Sequence, residues 1–213
     1  MNSKGTTDCA SLAERLVTAA KHLSSSVRNL KFSRPVTHVY NPLVYAWPPY
    51  EMYLHRFGGT RKRVIFIGMN PGPFGMVQTG VPFGEIAAVR DWLKIEGEVG
   101  KPAVENPFRP VEGFSCVRSE VSGRRLWNFF ADRFGSADVF FAEHFVMNYC
   151  PLAFFAEGRN ITPDKISAKE AKPLFSACDE HLLVMIKALE PEWMIGVGAW
   201  AEERAAIACG GMG

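Results

Sequence analysis

Several absences in the sequence exclude whole classes of protein. The five cysteines are far apart and form no C-x-x-C pair, which argues against a zinc ribbon, a thioredoxin motif and clustered iron–sulfur ligands. Scattered thiols of this kind indicate a reducing, intracellular compartment. No apolar run is long enough to cross a membrane, and the first residues lack the apolar segment of a secretory signal.

An excess of charge of one sign is also absent. The formal net charge is only +2, so no polybasic tail marks a nucleic-acid-binding protein. A local basic patch is nevertheless sufficient for DNA binding, so the weak net charge does not exclude DNA. What the chain does contain is typical of one globular domain, since 47% of its 213 residues are hydrophobic and 22% are charged.

Alternating strand and helix patterns indicate the fold class. Apolar runs predict buried strands at 64–68, at 139–147 with a turn near Glu143, and at 193–198. Helical spacing of apolar residues predicts helices at 12–30, 85–93, 126–133, 167–189 and 199–208. We therefore expect an α/β protein with three α/β/α layers and a mostly parallel central sheet.

Two further expectations concern organisation. Residues 1–31 are predicted to hold an N-terminal amphipathic helix, and residues 32–213 the main domain. The proline-rich stretch 36–53 is predicted to be extended, and Ser167 with Glu170 fits a capping box. Three central strands are few for this length, which indicates that the domain is C-terminally incomplete.

A glycine- and proline-rich loop follows the first predicted strand, at 68–84. Its backbone is able to approach a ligand closely. The loop has neither G-x-G-x-x-G spacing nor a G-K-[ST] phosphate motif, which disfavours a nucleotide cofactor. The alternative is a rigid turn in which Phe74 and Phe83 are core aromatics.

Two asparagines are predicted to lie on one rim of the sheet. Asn70 follows the first strand, and Asn148 ends the second. Because the carboxyl ends of parallel strands form the usual ligand site, the two amides are placed to read the edge of a base. The alternative for Asn148, which precedes Pro151 by three residues, is a simple turn residue.

Longer motifs identify a family. The chain closely resembles the single-strand-selective monofunctional uracil-DNA glycosylases from about Phe32 to its end. The resemblance is carried by the segments 41–47, 68–76, 79–85, 119–124, 148–152 and 158–163, which read NPLVYAW, GMNPGPFGM, TGVPFGE, SEVSGR, NYCPL and GRNITP.

The resemblance implies a uracil-DNA glycosylase fold and an enzyme of base-excision repair. Such enzymes remove uracil and oxidised derivatives such as 5-hydroxymethyluracil from single- and double-stranded DNA by flipping the base and hydrolysing the N-glycosidic bond. The resemblance also implies that Asn70 positions the attacking water, that Phe83 stacks on the base and that Asn148 pairs with the edge of the base. Gly72 and Met76 are implied to line the side of the C5 substituent. No cofactor and no metal are expected, and a nuclear, monomeric protein is expected.

The segment at Ser119 is a second candidate site. It is predicted to open a helix, and its simpler interpretation is an N-cap. The resemblance adds DNA binding by the residues Ser119, Ser122, Gly123 and Arg124, with phosphate held at the helix end. The run 61–63 is interpreted as a solvated strand start, and His181 as a structural residue of a helix.

One family motif is missing. The family carries His-Pro-Ser-Pro near its C-terminus, where the histidine stabilises the leaving uracil anion, and His-Pro does not occur in this chain. Two function classes therefore stay open: a glycosylase whose activity is impaired, or a catalytically inactive remnant that binds DNA or a base. A small-molecule nucleotide hydrolase ranks third, because no metal-binding carboxylate cluster is evident.

Overall fold

The structure is a computed structural model that describes residues 10–210. Its strands are β1 (His38–Tyr40), β2 (Val64–Gly68), β3 (His144–Asn148), β4 (Ala153–Ala156), β5 (Arg159–Ile161) and β6 (Trp193–Gly196). Its α-helices are α1 (Leu12–Val27), α2 (Pro42–Tyr45), α3 (Trp47–Phe57), α4 (Met76–Thr79), α5 (Val121–Phe134), α6 (Ala137–Glu143), α7 (Ala168–Leu189) and α8 (Ala199–Cys209).

The central sheet is parallel, in the order β3-β2-β6. The middle strand β2 is a short run of apolar residues, and Ile65 and Ile67 in it are fully buried. Helices connect the strands, and α3 anchors to β3 where the Tyr53 hydroxyl donates to the Val146 carbonyl at 2.7 Å. The predicted α/β class with a mostly parallel sheet is confirmed.

A second, antiparallel sheet of three strands was not predicted. Its order is β1-β4-β5, and Tyr40 and Phe155 pack edge to face in its buried side. The strands are only three or four residues long, and their side chains do not alternate cleanly between apolar and polar. Because short strands of this kind carry little periodic signal, the sequence pattern gave no indication of the sheet.

Residues 139–141 form part of helix α6, so their prediction as a strand was wrong. The Ser136 hydroxyl caps the helix by accepting a hydrogen bond from the Val139 amide. Phe140 stacks on Phe130 and Phe141 stacks on Phe57, so both rings are buried among other aromatic rings. A short apolar run fits either a strand or a buried helix, and here the cap and the aromatic packing favour the helix.

The proline-rich segment was also predicted wrongly, since most of it is helical. Pro42 lies in the first turn of α2, and Pro48 and Pro49 lie in the first turn of α3. A proline at a helix start loses no hydrogen bond, because the first amides of a helix have no partner within it. Prolines therefore mark the starts of these helices and do not exclude them.

Helices α1 and α7 pack against each other, and both were predicted. Ser11 caps α1, whereas the part of the N-terminal region before residue 10 lies outside the described residues. The expected capping box of α7 is present in part: Ser167 is the cap residue, but its hydroxyl donates to the Glu170 carboxylate instead of accepting from a backbone amide. The other oxygen of Glu170 accepts from the Ser33 amide, which ties the segment before β1 to α7.

His181 of α7 is buried at 6% exposure and has a structural environment, as predicted. Its Nδ1 atom has no hydrogen-bond partner, and burial lowers its pKa to about 4. Cys116, Cys150, Cys178 and Cys209 are free thiols, and Cys9 lies outside the described residues. Within residues 10–210, no helix combines the length and the hydropathy needed to cross a bilayer.

Candidate active site

A cavity of about 260 Å³ opens at the carboxyl ends of β2 and β3. The loop after β2, the end of β3, the start of α5 and the segment around β5 contribute to its wall. The lining residues are Met69, Asn70, Pro71, Gly72, Pro73, Phe83, Glu120, Ser122, Asn148, Asn160, Thr162 and Val197. The cavity thus collects residues from five separate parts of the sequence, the fifth being Val197 after β6, and they include both predicted asparagines.

The strand register brings the two asparagines to one rim. Gly68 is the register partner of Asn148, and the pairing continues beyond the strands. The Tyr149 amide donates to the Gly68 carbonyl at 2.8 Å, and the Cys150 amide donates to the Met69 carbonyl at 2.9 Å. These bonds hold the backbone on both sides of the cavity, so the relative position of the two amides is fixed by the sheet.

Gly68 is a site residue to which sequence reasoning gave no role. A Cβ atom at this position would lie 2.5 Å from Oδ1 of Asn148 and 2.5 Å from Cζ of Phe83. The missing side chain therefore leaves the space in which the amide and the phenyl ring meet. The ring predicted to stack on a base and the amide predicted to read its edge lie side by side above the same glycine.

The backbone of Phe83 is held in an unusual conformation. Its φ is 54°, in the left-handed region that non-glycine residues seldom adopt. Its carbonyl accepts from the indole Nε1 of Trp127 at 2.9 Å and from the Glu85 amide at 2.7 Å. Helix α5 approaches this carbonyl at Gly123, where any Cβ atom would collide with the Phe83 oxygen.

The amide of Asn148 has a defined orientation. Its Nδ2 atom lies 3.2 Å from the sulfur of Met76. A thioether accepts hydrogen bonds but cannot donate them, which favours the amide rotamer with nitrogen toward Met76. Asn148 is half-buried and lines the cavity, whereas Met76 is buried and is not among the residues that line it.

The amide of Asn70 is also fixed. Its Nδ2 atom donates to the Leu152 carbonyl at 3.1 Å, which leaves Oδ1 as the free group of the amide. A carbonyl oxygen of this kind accepts a hydrogen bond from a water molecule but does not remove its proton. The arrangement suits orientation of a water better than its deprotonation.

Glu120 is a carboxylate in the wall of the cavity, and sequence reasoning assigned it no role. Its Oε1 accepts from the Ser122 hydroxyl at 2.9 Å, and its Oε2 accepts from the Phe74 amide at 3.3 Å. The carboxylate lies against Gly72, where a Cβ atom would collide with Oε2, and a Cβ atom at Gly75 would be 2.9 Å from its Cγ. The two glycines signal this close approach in the sequence, but they do not identify the residue that makes it.

The buried side chain of Gln78 holds the loop in place with all of its hydrogen-bonding groups. Its Nε2 donates to the carbonyls of Pro73 and Pro110 at 3.0 and 3.1 Å. Its Oε1 accepts from the amides of Glu112 and Gly113 at 2.8 and 3.2 Å. The glycine- and proline-rich loop is therefore joined to the segment at 110–113, and the cavity wall is preformed.

The predicted DNA-binding residues occupy different environments. Helix α5 begins at Val121 as expected, but Ser119 does not cap it, because its hydroxyl donates to Glu85 at 3.2 Å. Gly123 is buried against Phe83, Ser122 lines the cavity and Arg124 is exposed. Contact of these residues with DNA stays a prediction.

A polar cluster supports the end of β3 from behind. The Tyr149 hydroxyl donates to Asp179 at 2.6 Å and accepts from Arg204 at 2.8 Å. Arg204 also pairs with Asp179 at 2.9 Å, which joins α7 to α8. Burial is the main reason why the pKa of Tyr149 is raised, so its hydroxyl stays protonated. Sequence reasoning missed this cluster, because it depends on contacts between distant elements.

The basic run before β2 lies at the other end of the sheet and has structural partners. Arg61 pairs with Glu190, and Arg63 pairs with Glu192, in both cases at 3.0 Å. Lys62 is buried, where its ammonium donates to Thr60 and to the carbonyl of Phe141. Desolvation lowers the pKa of Lys62 to about 8. These three residues belong to the fold and are remote from the cavity.

No group of three or more histidine, cysteine, aspartate or glutamate side chains able to hold a metal ion occurs between residues 10 and 210. A second cavity, of about 460 Å³, lies between α1 and α7. Of its polar residues, Arg15, Thr18, His22 and Glu180 are exposed, and His181 is buried. It offers no converging amides of the kind found beyond β2 and β3.

Comparisons with known proteins agree with this site. Residues 55–211 match the sequence profile of the uracil DNA glycosylase superfamily. The chain is 48% identical over 196 residues to a single-strand selective monofunctional uracil DNA glycosylase of Bos taurus, and the match covers 92% of this chain and 72% of the relative. It is 48% identical over 206 residues to the Rattus norvegicus protein of the same description, covering 96% and 74%.

A solved structure shows the same fold at lower identity. The wild-type SMUG2 protein of Pedobacter heparinus superposes with a TM-score of 0.64 and 18% identity, covering 96% of this chain and 82% of that one. Identity at this level supports the architecture alone. The profile and the mammalian relatives carry the assignment further: the chain belongs to the uracil DNA glycosylase superfamily, within its single-strand-selective monofunctional family.

Proposed function

We propose that the chain removes uracil and oxidised uracils such as 5-hydroxymethyluracil from single- and double-stranded DNA by hydrolysing the N-glycosidic bond of a flipped nucleotide. The observation that carries the proposal is the meeting of Asn148 and Phe83 above Gly68, with Asn70 on the same rim. A flat ring beside a fixed amide suits a single base that has left the helical stack.

Base identity is assigned to Asn148. With Nδ2 toward Met76, the amide offers one donor and, at Oδ1, one acceptor. Uracil presents an acceptor at O4 and a donor at N3, and this pattern matches the amide, whereas cytosine presents the reverse pattern. Stacking on Phe83 contributes about 1–3 kcal/mol for any base, so discrimination has to come from these hydrogen bonds.

The chemical step is assigned to a water held by Asn70. The glycosidic bond breaks to leave an oxocarbenium-like sugar and a uracil anion that keeps the bonding electron pair. A neutral water then attacks the sugar, and the proton that it loses balances the charge of the uracil anion. The free Oδ1 of Asn70 accepts one proton of that water and aims its oxygen, while Nδ2 stays bound to Leu152. We propose no covalent enzyme intermediate, because orientation of a water is sufficient for this step.

The charges around the cavity support DNA as the partner. Arg109 and Arg118 lie over the ring of Phe74, at 5.4 and 4.2 Å from its centroid. The amide of Phe74 in turn donates to Glu120 of the cavity wall. Among residues 10–210, neither arginine has an ion-pair partner, whereas Arg61 and Arg63 at the opposite end of the sheet are both neutralised. Guanidinium groups without a carboxylate partner suit phosphates, although neither arginine is among the residues that line the cavity.

The experiment measures uracil release from a single-stranded oligonucleotide, alongside binding of the same strand by fluorescence anisotropy. A matched strand with cytosine in place of uracil is the control for base identity. Release of uracil but not of cytosine supports the proposal. Tight binding of the uracil strand without release would support the alternative function, in which the chain only binds a base or DNA. Equal binding of the two strands without release would support an alternative that binds DNA without reading the base, and absence of both binding and release would contradict both functions.

A further inference from the structure

We propose that Glu120 selects uracils whose C5 substituent ends in a hydrogen-bond donor and rejects those whose substituent ends in an anion. The inference rests on the proposed function, because it needs uracil to bind against Asn148 and Phe83. Among the described residues, Glu120 is the one carboxylate that lines the cavity. The inference assigns it a role in specificity, without contact to the reacting bond.

The orientation of Asn148 decides where C5 lies. O4 of uracil accepts from Nδ2, and Nδ2 is on the side of Met76. C5 is bonded to C4, so a substituent on C5 points past O4 toward the same side. Gly72 lies on the Met76 side as well. Its carbonyl accepts from the amide of Val77 at 3.2 Å, and Val77 directly follows Met76 in the chain.

The carboxylate of Glu120 lies on that side of the cavity. A Cβ atom on Gly72 would collide with Oε2, so the carboxylate occupies the space that a side chain at position 72 would fill. The Ser122 hydroxyl and the Phe74 amide each donate to one carboxylate oxygen, and they leave further lone pairs on both. Among residues 10–210, no lysine or arginine pairs with Glu120.

A fixed carboxylate without a cationic partner distinguishes C5 substituents by their charge and by whether they donate a hydrogen bond. A hydroxymethyl group donates its O–H to the carboxylate, and a hydrogen bond to a charged acceptor is stronger than one to a neutral acceptor. A methyl group has nothing to donate. A carboxyl group on C5 is itself anionic and is repelled. The pocket therefore prefers hydroxymethyl to methyl and disfavours carboxyl.

The test measures affinity for uncleavable single strands that contain a 2′-fluoroarabino nucleotide, so the result does not depend on turnover. Three strands carry uracil, 5-hydroxymethyluracil and 5-carboxyuracil. In Glu120→Gln, which keeps the size of the side chain, the affinity for 5-hydroxymethyluracil relative to uracil should fall roughly tenfold. The relative affinity for 5-carboxyuracil should rise by about the same factor, because the repelling charge is removed.

Two further variants sharpen the test. Gly72→Ala places a methyl group where the carboxylate lies, so it should displace Glu120 and reduce the preference for 5-hydroxymethyluracil in the same way. Glu143→Gln makes the same change of charge at an exposed residue before β3, at the end remote from Asn148, and should leave all three affinities unchanged. Thermal unfolding of each variant checks that the fold is intact.

Three results would overturn the inference. The first is a Glu120→Gln variant in which all three affinities and the rate of uracil release are unchanged. The second is a variant in which all three affinities change by one common factor, which would assign Glu120 to the strand and not to C5. The third is slower uracil release at unchanged affinities, which would assign it to the attacking water. Wild-type protein with no preference for the uracil strand over a cytosine strand would instead overturn the proposed function, and the inference with it.

Discussion

Gly123→Ala is the sharpest test of how α5 holds the pocket, because two effects of opposite sign compete. Alanine is the better helix former, and by propensity alone the change stabilises a helix by about 1 kcal/mol. Against this, the new methyl group would collide with the Phe83 carbonyl oxygen and would lie 3.0 Å from its carbon and 3.2 Å from the Glu85 nitrogen. All three of these neighbours are backbone atoms, which cannot rotate away.

The steric effect should be the larger one. Overpacking in a closely packed region costs about 1–3 kcal/mol. Displacing the Phe83 carbonyl also removes the partner of the buried Trp127 indole, which costs about 1–3 kcal/mol. We therefore expect the free energy of unfolding to fall by about 3 kcal/mol despite the gain in propensity. Uracil release should slow by roughly a hundredfold, the usual effect of an ångström-scale displacement in a site.

Urea unfolding measures the stability, and single-turnover release from a uracil strand measures the activity. Gly59→Ala is the matched control, since a Cβ atom there meets nothing within 4 Å. Its stability should stay within about 0.5 kcal/mol of wild type. If Gly123→Ala is as stable as the wild type or more stable, the Phe83 carbonyl is not held by α5, and the reasoning is refuted.

Three other predictions concern single residues. Asn70→Ala should lower the rate of uracil release by roughly a hundredfold while the Kd for the strand stays nearly constant, and a parallel loss of affinity would make Asn70 a binding residue. Asn148→Asp should lose the preference for uracil over cytosine, measured as the ratio of release rates, and an unchanged ratio would remove Asn148 from base recognition. The buried His181 has a pKa of about 4, below its ordinary value of 6.5, so below pH 6.5 the unfolded chain takes up the proton first and stability should fall until about pH 4. The loss attributable to this group is about 3 kcal/mol and should be absent from the pH profile of His181→Gln, and identical profiles would contradict it.

The sequence predicts the part of the fold that depends on local patterns. The run 64–68 is apolar on both faces and ends in glycine, and it forms β2 with the same bounds. The run 139–147 is equally apolar, but its first half is helical, because the deciding interactions are the Ser136 cap and the stacking of Phe140 on Phe130. A local pattern shows that such a run is buried, but not which backbone conformation buries it.

In the site, too, local sequence patterns predict some residues and not others. Asn70 and Asn148 could be placed on one rim because parallel strands align their carboxyl ends. Glu120 could not be placed, because its contact with the Phe74 amide joins residues 46 positions apart and depends on how α5 packs. Gly68 is predicted only as the last residue of a strand, and only the structure shows that its missing side chain leaves room for Phe83 and Asn148.

The bond from the Trp127 indole to the Phe83 carbonyl gives the pocket a spectroscopic reporter. The indole N–H points at the backbone of the residue proposed to stack on the base, and it is buried from solvent. The chemical shift of an indole proton depends strongly on the length of its hydrogen bond, so a base that moves Phe83 moves this resonance. The indole of Trp193, which is exposed at the amino end of β6, serves as an internal reference in the same spectrum. Occupancy of the pocket is therefore observable by titrating a single strand into nitrogen-labelled protein, with no label attached to the DNA and no need for turnover.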